Sequence, residues 1–141
     1  MRALGLDLGT KRIGVAVSDS DGLLATPIEV VKRLGDISKE HLAIEALIQE
    51  WEVDVVVVGV PYSLDGSIGP MARKTFAEVK KLENTLSAPI EICDERLTTV
   101  TAERSLREQG ITSKHGRKVV DQLAASILLQ AWLDSRRNSE V

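Results

Sequence analysis

The sequence predicts an α/β fold in which a mixed five-stranded sheet carries helices on both faces. The sheet is expected to combine a three-stranded antiparallel meander with two parallel strands. Residues 3–19 alternate between apolar and small or polar side chains, a period that is typical of strands. Residues 38–52 change to the helical period. Residues 55–58 are four consecutive valines, which favours a central parallel strand buried on both faces.

The individual elements follow from these patterns in chain order. A strand at 3–9, a turn and a strand at 13–19 predict a hairpin, and the Asp21-Gly22 step turns the chain into a third strand around 26–32. The remaining predicted elements are a helix at 38–52, a strand at 53–60, a loop at 61–70, a helix at 72–86, a strand at 90–93, and helices at 99–109 and 118–136. This order is that of the ribonuclease H-like fold. We expect a single domain over 1–141 with a frayed tail at about 135–141.

The composition fits a compact enzyme or binding domain and argues against several other classes. The 141 residues carry 18 Lys or Arg against 21 Asp or Glu, and a net charge of −3 does not suit a bulk electrostatic coat for nucleic acid. The few aromatic residues do not suffice for a base-stacking platform. The single cysteine, Cys93, excludes a cysteine-rich zinc site, and His41 and His115 lack metal-ligand spacing and are expected at the surface. The sequence has no long apolar run or signal-peptide pattern, so we expect no membrane partner and a cytoplasmic location.

Two aspartates stand where a carboxylate needs a reason. Asp7 lies mid-strand among small residues, where it is costly unless it binds a cation or caps a neighbouring turn. Asp121 lies in the first turn of the last predicted helix and shares a stripe with Ala125, Leu128 and Trp132 that is expected to face the sheet. The helix dipole alone also favours an acid at that position.

A third candidate lies at the carboxyl end of the fifth predicted strand, where ligands of open α/β sheets gather. Alternation directs Asp94 and Glu95 to opposite sides, and Glu95 is the one expected to face the site, unless both belong to a solvated loop. Together Asp7, Glu95 and Asp121 would form an oxygen-rich site for Mg²⁺ or Mn²⁺. Two such ions can clamp the attacking and leaving oxygens of a phosphodiester.

Basic residues are concentrated beside the third candidate. Between residues 96 and 118 the balance is +4, from Arg96, Arg104, Arg107, Lys114, Arg117 and Lys118 against Glu103 and Glu108. Together with Lys11 and Arg12, these residues are predicted to bind a nucleic-acid backbone, although an ordinary solvated helix face is the alternative. The segment 110–116 is predicted to be a loop that closes over substrate.

Four ordered motifs resemble those of a known family. They are Asp7-Leu8-Gly9-Thr10-Lys11-Arg12-Ile13-Gly14-Val15-Ala16 with Ser18-Asp19; Gly59-Val60-Pro61 with Asp65-Gly66-Ser67 and Gly69-Pro70-Met71-Ala72; Asp94-Glu95-Arg96-Leu97-Thr98-Thr99; and Lys118 to Asp121 with Ala124-Ala125 and Ile127-Leu128. In this order they resemble the YqgF family, whose members are described as pre-16S rRNA nucleases or Holliday junction resolvases. The resemblance covers nearly the whole chain. The family's loop often has Glu before Gly69-Pro70, where this chain has Ile68, which leaves the role of the loop open.

The resemblance implies a ribonuclease H-like fold and a divalent-metal nuclease of the bacterial cytoplasm that matures the 5′ end of 16S rRNA during ribosome assembly. By motif position, it implies that Asp7, Glu95 and Asp121 are the catalytic acids. The cofactor would be Mg²⁺ or Mn²⁺, with two ions expected. The expected partner is structured RNA, pre-16S rRNA in particular, or branched DNA, with the ribosome as a further partner. The chain would act as a monomer or a homodimer.

Three other functions compete with this one. A Holliday junction resolvase would use the same chemistry on four-way DNA, but it would need two symmetric sites and hence a dimer. Residues 6–10 also resemble the first phosphate loop of sugar kinases and chaperone-type ATPases, which bind nucleotide between two such domains, whereas 141 residues supply one. An adaptor that binds the ribosome or a polymerase without catalysis is the third, and the presence of all three acids argues against it.

Overall fold

The strands and helices form where the hydrophobic periods change along the chain. The structure, a computed structural model, describes residues 1–96, 98 and 114–139, with the backbone alone for 114–122 and 139. The strands are β1 (Ala3–Leu8), β2 (Arg12–Ser18), β3 (Ala25–Lys32), β4 (Val55–Val60) and β5 (Ile90–Asp94). The helices in the described ranges are α1 (Ile37–Trp51), α2 (Pro70–Thr85) and α3 (Lys114–Ser139).

The strands form one sheet in the order β3-β2-β1-β4-β5. β1 pairs antiparallel with β2, and β2 pairs antiparallel with β3. On its other side β1 pairs parallel with β4, which pairs parallel with β5. The predicted meander with two parallel strands is therefore confirmed, and β1 is the central strand.

Two hydrophobic clusters cover the two faces of the sheet. On one face, Leu4 of β1 belongs to a cluster with Ile44 of α1 and Leu82 of α2. On the other face, Ala3 of β1 belongs to a cluster with Leu129 of α3. All six residues of β4 are buried, as the run of valines predicts. Helices therefore cover both faces of the sheet, as predicted.

Glycines allow α3 to lie close to the sheet. A Cβ atom added at Gly5 would lie 2.8 Å from the Leu129 Cβ and 3.2 Å from the carbonyl oxygen of Ala125. On β4, a Cβ atom at Gly59 would lie 3.0 Å from Leu128 Cδ1. Any larger residue at position 5 would force the helix outward, because packed interiors leave no space for the extra atom.

The amino-terminal end of α3 differs from the prediction. Residues 114–116 are helical, so the predicted loop over 110–116 is wrong for these residues, and the helix begins before its predicted start at 118. Gly116 lies inside the helix, where a glycine is tolerated at a modest cost. The helix predicted at 99–109 lies outside the described residues.

The carboxyl-terminal end of α3 also differs, since the helix continues to Ser139 where the sequence predicts a frayed tail from 135. Two contacts stabilise this end, and each joins residues about one helical turn apart. Arg137 forms an ion pair with Asp134, and the Arg136 guanidinium lies 5.1 Å from the centroid of the Trp132 ring. Cations near a helix C-terminus also interact favourably with its dipole. The polar composition of the segment conceals these pairings.

On the α1 and α2 face, a buried ion-pair network holds the turn that follows β1. Arg33 Nε donates to the carbonyl oxygen of Gly9 at 2.8 Å, and the Arg33 backbone N–H donates to the carbonyl oxygen of Lys11 at 3.0 Å. The same guanidinium lies 3.1 Å from Glu40 Oε1 of α1 and 2.8 Å from Glu78 Oε1 of α2. One residue therefore fixes the turn at two carbonyl oxygens and is itself fixed by two helices.

His41 belongs to this network, so its predicted surface position is wrong. The side chain is 2% exposed, and its Nε2 lies 2.8 Å from Glu78 Oε2. His41 lies three residues before Ile44 on the buried face of α1, but Glu78 is 37 residues further along the chain and no local pattern connects them. Burial acts to raise the pKa of Glu78, but the hydrogen bonds from Arg33 and His41 outweigh it and hold that pKa below its ordinary value.

We expect Glu78→Gln to lower the free energy of unfolding by about 3 kcal/mol at neutral pH, because it leaves buried charge without its partner. A depressed folded-state pKa contributes stability that is complete above the ordinary glutamate pKa of about 4.3 and is lost as the pH falls below it. The difference between wild type and variant should therefore shrink in acid. Urea unfolding at a series of pH values measures it.

The matched control is Glu83→Gln, which removes an exposed glutamate from the same helix. It should change the unfolding free energy by less than about 0.5 kcal/mol at every pH. Equal urea midpoints for the two variants at neutral pH would show that the Glu78 network does not stabilise the fold.

Candidate active site at the carboxyl edge of the sheet

Asp7 lies near the carboxyl end of the central strand, on the face covered by α3. Strand alternation places it with Ala3 and Gly5, whereas Leu4 and Leu6 belong to the opposite cluster. Its side chain is half-buried, and its carbonyl oxygen accepts a hydrogen bond from the Gly9 N–H at 3.0 Å. β1 ends at Leu8, one residue later, so Asp7 lies close to the carboxyl-terminal edge of the sheet.

Glu95 lies at the same edge, directly after β5. Its N–H donates to the carbonyl oxygen of Val60 at 3.0 Å, which fixes it to the end of β4. Cys93, two residues earlier, packs against the cluster beneath α3, whereas the Asp94 carboxylate is bound by Arg96 at 2.6 Å. That Glu95 rather than Asp94 faces the Asp7 side stays a prediction.

The strand register brings these two acids into neighbouring rows. Gly5 pairs with Val57, and Gly59 pairs with Cys93. Continuing the parallel register by two residues places Asp7 level with Gly59 of β4 and Cys93 of β5. Glu95 comes two residues after Cys93 and therefore lies further toward the carboxyl-terminal edge of the sheet. β1 and β5 are two strand spacings apart, about 10 Å.

The backbone of α3 brings position 121 toward the same edge. The carbonyl oxygen of Ala125 lies over Gly5, and the Leu133 side chain lies near Gly22, beside the start of β1, so α3 runs antiparallel to β1. Position 121 is one helical turn before Ala125 and therefore lies toward the carboxyl end of β1.

The described members of the predicted stripe do contact the sheet, since Ala125 and Leu128 are buried and Trp132 Nε1 donates to Glu91 Oε2 at 3.0 Å. The Asp121 side chain lies outside the described residues.

The donor atoms at this edge suit a hard divalent cation. Carboxylate oxygens are the ligands that Mg²⁺ and Mn²⁺ prefer. Burial and the charges of Asp94 and Glu95 raise the pKa of the Cys93 thiol. Burial likewise raises the pKa of Glu95, and a cation bound beside it would favour the ionised form. Among the described side chains, no three His, Cys, Asp or Glu lie together as a metal site.

The predicted phosphate-binding residues are distributed over three parts of the chain. Lys11 is exposed in the turn between β1 and β2, and Arg12 is half-buried at the start of β2. Lys114, Arg117 and Lys118 are described only as backbone positions in the first turns of α3, and Arg104 and Arg107 lie outside the described residues.

Arg96 has a structural role that the sequence did not reveal. Besides binding Asp94, its Nη1 donates to the carbonyl oxygens of Ser63 and Leu64 at 3.4 and 3.3 Å, and its guanidinium lies 5.7 Å from the centroid of the Tyr62 ring. It therefore ties the loop that follows β4 to the end of β5. The partners are about thirty residues away in the chain, so no local motif indicates the contact.

Within that loop, the short side chains form their own turn. Asp65 Oδ1 accepts hydrogen bonds from the Ser67 N–H at 2.9 Å and the Ser67 hydroxyl at 2.6 Å. Gly66 has φ +88°, a left-handed conformation that glycine adopts without strain. The loop is thus held internally and also by Arg96.

Residues 1–135 match the RuvX family, which is described as Holliday junction resolvase. The chain belongs to the RuvX family. Curated relatives include the "Putative pre-16S rRNA nuclease" of Crocosphaera subtropica, which is 48% identical over 137 residues, 97% of this chain and 95% of that protein. The protein of the same name from Geobacillus kaustophilus is 44% identical over 140 residues, 97% of this chain and 100% of that protein.

Among solved structures, this RuvX-family chain is similar to Thermus thermophilus RuvC. The match to the RuvC structure has a TM-score of 0.55 at 14% identity and covers 98% of this chain and 97% of that one. The match to RuvC in complex with Holliday junction substrate has a TM-score of 0.58 at 18% identity and covers 97% and 96%. The likeness confirms the predicted ribonuclease H-like fold.

Membership of the RuvX family confirms the prediction of a hydrolase that cleaves nucleic acid. Among the helices that the structure describes, none is apolar over a length that could cross a membrane.

We expect Arg96→Ala to loosen the loop after β4, because it removes the donor to two loop carbonyls. The Ser63 and Gly66 amides, which donate within the loop at 3.0 and 2.8 Å, should exchange with solvent several-fold faster. Hydrogen exchange followed by NMR measures this, and Lys80→Ala, an exposed cation on α2, should leave both amides unchanged. Unchanged exchange in Arg96→Ala would show that the loop does not depend on Arg96.

Proposed function

We propose that this RuvX-family nuclease acts on structured RNA and matures the 5′ end of pre-16S rRNA during ribosome assembly in the bacterial cytoplasm. The supporting observation is the 44–49% identity, over at least 96% of this chain, to curated proteins that carry the pre-16S rRNA nuclease name. We further propose that residues 1–141 act as one domain.

Asp7, Glu95 and Asp121 are the proposed metal ligands and catalytic acids. The support is positional: Asp7 and Glu95 lie at one edge of the sheet, and position 121 lies toward that edge, one turn beyond Ala125. The proposed cofactor is Mg²⁺ or Mn²⁺, with two ions. When bound, such ions stabilise charge on the transferred phosphate and lower the pKa of a bound water.

The chain's own cations complete the proposed site. Lys11 is exposed on the turn directly after Asp7, where it can contact a phosphate beside the cleaved bond. The further proposed phosphate contacts are Arg12, Arg96, Arg104, Arg107, Lys114, Arg117 and Lys118. The Arg33 network holds the carbonyls of this turn, so the backbone that carries Lys11 is held in place before substrate binds.

A Holliday junction resolvase is the second candidate, favoured by the family description and by the similarity to RuvC bound to a junction. It would require two sites related by symmetry, and hence a homodimer. A ribosome-associated protein with weak or no catalysis is the remaining alternative. A direct comparison of substrates separates the three.

We expect Asp7→Asn and Glu95→Gln each to lower the metal-dependent cleavage rate by about 100-fold or more, since a lost ligand removes several kcal/mol of transition-state stabilisation. Asp94→Asn is the matched control: it changes the adjacent carboxylate, which binds Arg96, and it should retain most of the activity. The assay compares a pre-16S rRNA fragment with a four-way DNA junction in Mg²⁺ and in Mn²⁺.

The outcomes of this assay are distinct. Cleavage of the RNA alone supports rRNA maturation, and cleavage of the junction alone supports the resolvase. Equal rates for wild type and Asp7→Asn would remove Asp7 from the chemistry. No cleavage of either substrate, together with tight binding to the ribosome, would support the ribosome-associated protein with weak or no catalysis.

We expect the Arg104→Gln, Arg107→Gln double variant to flatten the salt dependence of substrate binding. Losing two phosphate contacts should reduce the slope of log K against log salt concentration by about 1.5. Fluorescence anisotropy in EDTA, which prevents cleavage, measures the slope. An unchanged slope would assign these two residues to an ordinary solvated face.

A further inference from the structure

A cleft of about 210 Å³ opens between the β1–β2 turn and α2, on the side of the sheet opposite to Asp7. Gly9 and Thr10 line one wall, and Lys74 and Lys81 of α2 line the other. None of the sequence motifs or the predicted phosphate-binding residues includes these two lysines. The cleft is therefore separate from the carboxylate site, although both adjoin the same turn.

The charges that line the cleft leave it net positive in a chain of net charge −3. Arg33 lies in the wall, but its guanidinium is bound by Glu78 at 2.8 Å and by Glu40 at 3.1 Å. Lys74 and Lys81 are exposed and form no ion pair with the residues that the structure describes. Their two charges are thus available to an anion.

The cleft is connected to the carboxylate site through the end of β1 and the turn that follows it. Because side chains alternate along a strand, Leu8 lines the cleft while Asp7 faces α3. Lys11 is exposed in the turn that joins β1 to β2 at the edge of the sheet. A polyanion that lies over Asp7 and crosses the edge of the sheet would meet Lys11 and then enter the cleft.

The spacing and the floor of the cleft both suit a nucleic-acid backbone. Lys74 and Lys81 are seven residues apart on one helix, about 10 Å along its axis, which corresponds to roughly three nucleotides of a duplex strand. Met71, Ile37 and Leu8 contribute apolar side chains to the lining. An apolar lining lowers the local dielectric and strengthens the attraction between a lysine and a phosphate.

We propose that this cleft binds backbone phosphates of the substrate nucleic acid on one side of the cleaved bond, through Lys74 and Lys81, after the strand crosses the edge of the sheet at Lys11. This inference rests on the proposed function for the position of the cleaved bond. The binding itself is tested without cleavage.

The experiment compares two double variants of the same helix. Lys74→Gln with Lys81→Gln removes the cleft charges, and Arg73→Gln with Lys80→Gln removes two exposed charges with the same spacing that do not line the cleft. Anisotropy with a fluorescein-labelled RNA hairpin and a labelled four-way DNA junction, in EDTA at several salt concentrations, gives the affinity and the salt slope. All four positions are exposed, so both proteins should fold, and thermal unfolding checks this.

We expect the cleft variant to bind at least one of the two nucleic acids about tenfold more weakly, with a slope reduced by about 1.5, and the control pair to change both quantities much less. Equal effects of the two pairs would overturn the proposal, because they would reflect net charge alone. No effect of either pair on either nucleic acid would also overturn it.

Inorganic phosphate and AMP serve as competitors and distinguish a site for polymer backbone from a site for a small phosphate ligand. Weak competition, at millimolar concentration, supports the backbone. Saturable binding of either small ligand at micromolar concentration, lost in the cleft variant, would overturn the proposal in favour of a small-molecule site. Cleavage assays separate the cleft proposal from the proposed nuclease function. If the protein cleaves and the cleft variant and the control pair have equal salt slopes, only the cleft proposal is rejected. If binding depends on the cleft but no cleavage occurs, only the nuclease function is rejected.

Discussion

The close approach of α3 to Gly5 is the packing contact on which the candidate site depends. Since Gly5 carries no side chain, Ala125 and Leu129 lie directly on the central strand, and Gly59 allows Leu128 to do the same on β4. The helix runs antiparallel to β1, so this contact carries the preceding turn of α3 toward the end of the strand where Asp7 lies. A side chain at position 5 would move the helix outward and separate position 121 from Asp7 and Glu95, which links the core of this face to its chemistry.

On the opposite face of the sheet, which α1 and α2 cover, polar side chains hold the β1–β2 turn. Apolar side chains fill the middle of that face, but at its edge the carbonyl oxygens of the β1–β2 turn need donors, because buried backbone groups are costly when left unpaired. Arg33 supplies the donors. Glu40 of α1 and Glu78 of α2 bind its guanidinium, and His41 of α1 binds Glu78. The turn is thus fixed from one face and carries Asp7 on the other, which places the carboxylate site and the lysine-lined cleft on either side of a rigid edge.

The distribution of charge explains how a chain of net charge −3 suits a polyanionic substrate. Glu78 and Asp94 are neutralised by arginines within the protein, whereas Lys11, Lys74 and Lys81 are exposed. Three of the four aromatic residues make contacts within the fold: the Tyr62 and Phe76 rings pack edge to face at 6.2 Å, and Trp132 donates to Glu91. Phosphate contacts, rather than stacking on bases, are what these surfaces offer.

The sequence by itself determined the element order, the sheet and the faces of its central strands, because alternation and helical periodicity are local and strong at positions such as Leu4, Val55 and Ile44. It also singled out Asp7 and Glu95, since a carboxylate among small strand residues and one after a strand end are local anomalies.

Only the tertiary structure decided the contacts of His41, Arg33 and Arg96, whose partners lie far away in the chain. The same holds for Lys74 and Lys81, which resemble any solvated helix face until the β1–β2 turn is placed beside them. The continuation of α3 to Ser139 likewise rests on pairings that composition conceals. Local periods therefore determine the framework, whereas long-range pairing of polar groups, which leaves no period in the sequence, determines the edges of the sheet where the candidate site and the cleft lie.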